Sequence, residues 1–319
     1  MTTDGAAERT ASQSRLDRAR AIHGMFFPMP TVFDGKGEVD AEAMEQLIDW
    51  YLDCGVNALM PLGSFGMGPA CRIDQRKSTA ELIVRRVNGR VPVVIHVGAV
   101  DPYTSIELGQ HARDIGADGI GIVGPYYYND RNEWELLEHY RRIDAAVGLP
   151  VLLYHNAPYS GHTISPELTS KLADEIPNVF CVKLSAGETQ ETQRYLRALD
   201  GKAAVFTGVA NVVPGMQMGA RGFIHPPISL VPELGVQMSN AAEAGDINKA
   251  LELQLELQRF QATLGPLRAY GRGVTMVGLQ LRGFPVKEFP RWPTRPMPPT
   301  DVELLREALK SVGALPVTV

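Results

Sequence analysis

The stretch VLLYHNAPYSGHTISPELTSKLADEIPNVFCVK, residues 151–183, decides how this chain folds. It opens on the short apolar run Val151-Leu-Leu-Tyr154 and closes on Val179-Phe-Cys-Val-Lys183. Neither run alternates cleanly between apolar and polar residues, which is the pattern of strands covered on both faces of a parallel sheet. Between them, Ser165 followed by Pro166 is a helix start, because serine can accept from a free backbone N–H and proline fits the first helical position. The spacing predicts a helix over 166–175. The unit reads as strand, crossover helix, strand.

The same alternation runs outward in both directions. Short runs rich in Val, Ile, Leu or Phe predict strands at 25–30, 57–62, 92–97, 119–123, 203–206 and 222–225. Helical spacing appears at 41–54, where Met44, Leu47, Ile48 and Tyr51 share a face and Gly55 follows as a stop. It recurs at 105–115, 133–146 and 190–199. Eight strands separated by helices point to a (β/α)8 barrel rather than an open doubly wound sheet, although strand number alone does not force closure. Beyond the eighth strand, 231–265 and 273–283 read as helical, 285–299 as Pro-rich and extended, and 301–312 as a last helix. The expected organisation is a flexible lead over 1–20, the barrel over 21–230 and a C-terminal helical extension over 231–319 packed on it.

Composition narrows the function. The chain has 319 residues, 45% hydrophobic and 21% charged, which suits a globular protein with a sizeable core. A net charge of −5 argues against nucleic acid as a partner, since phosphate binding needs a basic face. The three cysteines, Cys54, Cys71 and Cys181, are far apart and include no CxxC pair, which fits a reducing compartment rather than disulfides or zinc. No apolar stretch is long enough to span a membrane, and the first twenty residues lack the apolar core of a signal peptide. A cytoplasmic protein is expected. The seven histidines show no HExxH spacing, and no GxSxG, GxGxxG or P-loop pattern occurs.

In a barrel, chemistry belongs at the C-terminal ends of the strands. Lys183 ends one of them after Phe180, Cys181 and Val182. Burial there disfavours an ammonium and favours the free amine that attacks a carbonyl. The same pattern also fits a lysine that reaches from the strand end to water. Tyr154 ends the preceding strand, and its phenol can pass protons beside an amine; a core tyrosine with a satisfied hydroxyl reads equally well. Gly63-Ser-Phe-Gly66 follows the second strand, where glycines let backbone N–H groups approach a carboxylate and Ser64 adds a hydroxyl. A tight turn is the other reading of that loop. In Gly124-Pro-Tyr-Tyr-Tyr-Asn129, three tyrosines cannot share one core, so at least one faces a pocket or a subunit interface.

Taken in order, Gly63-Ser-Phe-Gly66, Pro125-Tyr-Tyr-Tyr128, Tyr154, Gly161-His-Thr-Ile-Ser-Pro-Glu-Leu168 and Val182-Lys183 resemble the dihydrodipicolinate synthase and N-acetylneuraminate lyase superfamily. The resemblance runs from about Gly24 to the eighth strand. It implies a (β/α)8 barrel, a homotetramer built as a dimer of dimers, and class I aldolase chemistry on a 2-oxo acid and an aldehyde, with no metal or organic cofactor. By that resemblance Lys183 is the Schiff-base lysine, Tyr154 the proton shuttle and Tyr127 a tyrosine lent across a subunit interface. Ser64 and Phe65 fall on the two threonines of a Gly-Thr-Thr-Gly loop. Ile224 matches a position whose carbonyl lines the pyruvate end.

The departures redirect the substrate. Phe65 cannot relay a proton, and Met67 stands where an acidic residue commonly closes the loop. Tyr159 occupies the place of an arginine that holds the aldehyde's carboxylate in the lysine-biosynthesis enzyme. Losing that bidentate partner argues against dihydrodipicolinate synthase activity itself. Phe65 resembles the aromatic residue of arylidene-pyruvate hydratase-aldolases, while Gly66-Met-Gly-Pro69 and the tyrosine triplet resemble 2-keto-3-deoxy sugar acid aldolases. His155 and Tyr159 are expected to shape the aldehyde end with Phe65. The alternatives are a dehydratase or hydratase working through the same imine, and a non-catalytic ligand-binding barrel.

Overall fold

The computed structural model describes residues 3–185, 189–208 and 212–315. Helix α1 (Thr3–Arg20) leads into β1 (Gly24–Phe27), α2 (Ala41–Asp53), β2 (Ala58–Leu59), α3 (Ile73–Val87), β3 (Val94–His96), α4 (Pro102–Asp114), β4 (Gly119–Val123) and α5 (Glu133–Val147). Then come β5 (Val151–His155), the single turn α6 (Ala157–Ser160), α7 (Pro166–Glu175), β6 (Val179–Leu184), α8 (Thr189–Ala198), β7 (Ala204–Thr207), α9 (Val212–Gln217) and β8 (Gly222–Phe223). The chain continues through α10 (Pro232–Glu243), α11 (Ile247–Thr263), α12 (Gly273–Leu281) and α13 (Pro299–Ser311).

The strands form one eight-stranded parallel sheet in the order β2-β1-β8-β7-β6-β5-β4-β3. Its two edges meet: Leu59 bridges Val93 in parallel, and the Leu59 N–H donates to the Pro92 carbonyl at 2.9 Å. The sheet is therefore a closed (β/α)8 barrel, as the alternation predicts. Strand ends are shorter than expected where prolines interrupt the ladder. Pro28 and Pro30 follow β1 and Pro61 follows β2, and none has an N–H to donate.

Side chains alternate between the barrel interior and the helical ring. Phe26, Met60, Val94, Leu152, Cys181 and Phe206 fill the inside, with Phe26 and Phe206 edge to face at 5.5 Å. Val151, Leu153, Val182 and Leu184 point outward to the helices. The alternation places Tyr154 and Lys183, each two residues beyond an interior side chain, at the C-terminal mouth.

The helices depart from expectation in three places. Residues 1–20, expected as a flexible lead, are helical from Thr3 to Arg20. Leu16, Ala19 and Ile22 join the interior cluster, and Arg18 pairs with Asp118 at 2.8 Å just before β4. This segment stops the N-terminal end of the barrel. Helix α3 is absent from the sequence reading because its buried face starts with Gln75, Arg76 and Thr79, and the apolar Leu82, Ile83 and Val87 come only in its second half. The region 231–265 is two helices separated at Gly245, whose φ is +79°. Residues 1, 2 and 316–319 of the expected lead and extension lie outside the described residues. Among the described residues no helix is long and apolar enough to cross a membrane.

Leu16 is buried against the barrel interior, so Leu16→Ala should cost roughly 2–3 kcal/mol of unfolding free energy in a urea titration. A variant as stable as the wild type would show that this segment is not a stopper.

Candidate active site

The loop after β2 is built on two left-handed residues, Leu62 at φ +60° and Met67 at φ +59°. Between them a Cβ on Gly66 would lie 2.6 Å from the Leu62 nitrogen and 2.8 Å from the Met29 carbonyl oxygen, so only glycine fits. The backbone N–H groups of Ser64, Phe65 and Gly66 have no hydrogen-bond partner among the described residues. Such a run of free donors suits an anion. The loop is held from outside by Arg272, which donates to the Ser64 carbonyl at 2.6 Å.

Tyr154 and Lys183 are register partners on β5 and β6. The Lys183 Nζ sits 3.9 Å from the Tyr154 ring centroid, and both residues are buried. The Tyr154 hydroxyl donates to the Ser64 Oγ at 3.4 Å and accepts from the Asn156 amide at 2.7 Å. Burial would raise the phenol, but the Lys183 cation and the hydrogen bonds with Ser64 and Asn156 outweigh it, bringing it down to about 8.

Two histidines flank the pair, His96 buried and His225 half-buried. His96 lies edge-on to Tyr154 at 5.9 Å, and its Nε2 accepts from the Val123 N–H at 3.4 Å. Burial, with Arg76 and Lys183 nearby, holds its imidazole neutral. His225 lies 3.2 Å from the Gln261 amide, and burial and Lys183 push it down to about 3. Both rings are neutral near pH 7.

A cavity of about 690 Å3 opens over this pair. Of the residues singled out in the sequence, Lys183, Tyr154, Ser64, Phe65, His155, Tyr159 and Ile224 line it. Gly63 and Gly66 shape the loop without lining the cavity. Phe65 is only 9% exposed, and its ring meets Phe289 edge to face at 5.4 Å. His155 is buried, with its ring 5.8 Å from Tyr195. Tyr127 is not brought to the cavity: it is 83% exposed, with φ at +78°.

Sequence reasoning missed Asn156, Gln261, Arg268 and Arg272, all of which line the cavity. Asn156, two residues after Tyr154, was within reach as a partner for its hydroxyl. The other three come from the helices after the barrel, and nothing local signals where they land. Arg272 also donates to the Tyr159 hydroxyl at 3.1 Å. Among the described residues no three His, Cys, Asp or Glu side chains gather as a metal site requires.

A buried amine beside a proton-passing phenol, under a cavity sized for a small molecule, is the equipment of imine-forming lyases on (β/α)8 barrels, and the chain is an enzyme of that class. It belongs to the dihydrodipicolinate synthetase family, whose model matches residues 21–312. It is 31% identical to a 4-hydroxy-tetrahydrodipicolinate synthase of Methanopyrus kandleri, over 92% of this chain and 98% of that one. It is 32% identical to an uncharacterized DapA-like lyase of Halobacterium salinarum, over 92% and 95%. Among solved structures, dihydrodipicolinate synthase from Aquifex aeolicus superposes with a TM-score of 0.84 at 28% identity, covering 93% of this chain and 100% of that one. A prophage protein of E. coli K12 from the same family, solved in complex with pyruvate, gives 0.84 at 26%, covering 92% and 99%.

In an ultraviolet difference titration, one phenolate should appear at about pH 8, ahead of the other tyrosines, and vanish in Tyr154→Phe. Lys183→Met should move that ionisation upward, because burial is then opposed only by the hydrogen bonds to the phenol and no longer by the cation. An early ionisation that stays put in Lys183→Met would remove the cation as its cause.

Proposed function

We propose that Lys183 is the imine-forming residue of a pyruvate-dependent lyase that makes or breaks a carbon–carbon bond between pyruvate and an aldehyde. The observation that carries this is the buried Lys183 Nζ, 3.9 Å over the Tyr154 ring in the floor of the cavity.

The Lys183 amine adds to the C2 carbonyl of the 2-oxo acid, giving a carbinolamine. The Tyr154 phenol donates its proton to the departing hydroxyl, water leaves, and an iminium remains. The iminium withdraws electrons from the C3–C4 bond. As that bond breaks, the Tyr154 phenolate takes the proton of the C4 hydroxyl, and the products are an aldehyde and an enamine of pyruvate. An ionisation at about 8 lets Tyr154 give and accept a proton near neutrality. The free amides of the Ser64 loop and the Ser64 hydroxyl hold the substrate carboxylate, and the Ile224 backbone borders the pyruvate end. Phe65, His155 and Tyr159 border the aldehyde end.

The protein acts as a homotetramer, a dimer of dimers, in the cytoplasm. The exposed Tyr127, with its φ of +78°, supports a role toward a neighbouring copy, since an outward, left-handed tyrosine meets the adjacent Tyr128 ring edge to face at 5.0 Å and leaves most of its own ring uncovered. Cys54, Cys71 and Cys181 are free, as a reducing compartment keeps them.

Incubation with pyruvate and borohydride should leave a reduced three-carbon adduct on the Lys183 peptide, and Lys183→Ala should leave none. Tyr154→Phe should slow adduct formation roughly 100- to 10,000-fold, the loss expected of a missing general acid–base. An adduct on another lysine, or full-rate trapping in Tyr154→Phe, would overturn these assignments.

A further inference from the structure

The charges around the cavity are one-sided. Lys183, Arg268 and Arg272 line it, and no Asp or Glu does so among the described residues. Lys183 lies in the floor between β5 and β7, whereas the two arginines come from the segment before and at the start of α12. Neither arginine has a carboxylate partner among the described residues. Arg272 is nonetheless fixed. It donates to the Ser64 carbonyl at 2.6 Å and to the Tyr159 hydroxyl at 3.1 Å, and stacks 5.5 Å from the Trp292 ring and 5.9 Å from the Phe65 ring. All of these partners are uncharged. A guanidinium held in place without a counter-charge at a cavity wall is an anion site with no protein anion to fill it.

Leu230, Leu264, Leu267 and Val274 line the same cavity. They suit a carbon chain reaching toward the arginines. We infer that Arg268 and Arg272 bind a second anionic group, so that the 2-oxo acid turned over here carries a carboxylate-like terminus remote from its reacting carbon. This rests on the imine at Lys183, which fixes the near end of the ligand. It also reassigns the aldehyde end: Tyr159, standing where the resemblance places an arginine, accepts a hydrogen bond from an arginine supplied by a different element.

The test uses borohydride trapping at Lys183 as a binding assay. Half-saturating concentrations are measured for 2-oxoglutarate, 2-oxoadipate and 2-oxopimelate, each against 2-oxopentanoate, 2-oxohexanoate or 2-oxoheptanoate, which lack the terminal carboxylate. The wild type should prefer at least one diacid by about 10- to 100-fold, the worth of a charged hydrogen bond. Arg268→Gln and Arg272→Gln should each shrink that preference, and the double variant should erase it. The ratio is taken within each protein, so a general loss of loop order from removing the Arg272–Ser64 bond cancels. Arg268 is exposed, so its variant folds even where Arg272→Gln does not. A pyruvate adduct with no diacid preference, or a preference that survives in the double variant, overturns the inference alone. No pyruvate adduct at all overturns the imine reading beneath it.

Discussion

Everything at the mouth of this barrel follows from seating a cation beside a phenol on neighbouring strands. Tyr154 and Lys183 are register partners, so the parallel ladder itself sets their separation. A buried ammonium is expensive unless something nearby accepts its charge, and here no carboxylate does so among the described cavity residues. The Tyr154 ring face at 3.9 Å supplies part of the compensation. The same proximity lowers the phenol to about 8 and adds to the burial that drives His225 to about 3. Burial and the amine together hold the neighbouring imidazoles neutral, leaving Tyr154 with an ionisation near neutrality.

The scaffold keeps that arrangement from relaxing. The ring of interior side chains from Phe26 to Phe206 fills the barrel below the pair, and Leu16, Ala19 and Ile22 stop its far end. To one side, Arg76 donates to the carbonyls of His96 and Gly98 at 2.9 and 3.2 Å, tying α3 to the end of β3. To the other, Arg272 ties the start of α12 to the Ser64 carbonyl. A loop whose amides must stay unpaired needs such external braces, because its own backbone bonds cannot hold it.

What the sequence made legible, and what it did not, divides by how local the cause is. Strands such as 151–154 and 179–183 were readable because burial on both faces leaves nearly uninterrupted apolar runs. Lys183 and Tyr154 were readable for the same reason, as polar residues ending those runs. Helix α3 was not, since Gln75, Arg76 and Thr79 face inward and mimic a solvent face. The stopper α1 was hidden by sparseness, with Leu16 its one large apolar residue among alanines and polar residues. Arg272 had no local signal whatever, because its role arises only when the chain returns across the barrel mouth to Ser64 and Tyr159.

That return changes the weight of Tyr159. Read along the chain, a tyrosine in place of an arginine removes a positive charge from the aldehyde end. Read in space, the charge is present, contributed from the start of α12 and braced by the very tyrosine that replaced it. A barrel mouth is assembled from loops of many elements, so a charge lost from one loop can be regained from another without disturbing the pair beneath. On the proposed reading, the chemistry of bond making stays with β5 and β6, while the choice of substrate passes to helices outside the barrel. Divergence in that outer layer is cheap for the fold, because Arg268 is exposed and Arg272 is gripped by a carbonyl, a hydroxyl, the Met67 sulfur and ring faces.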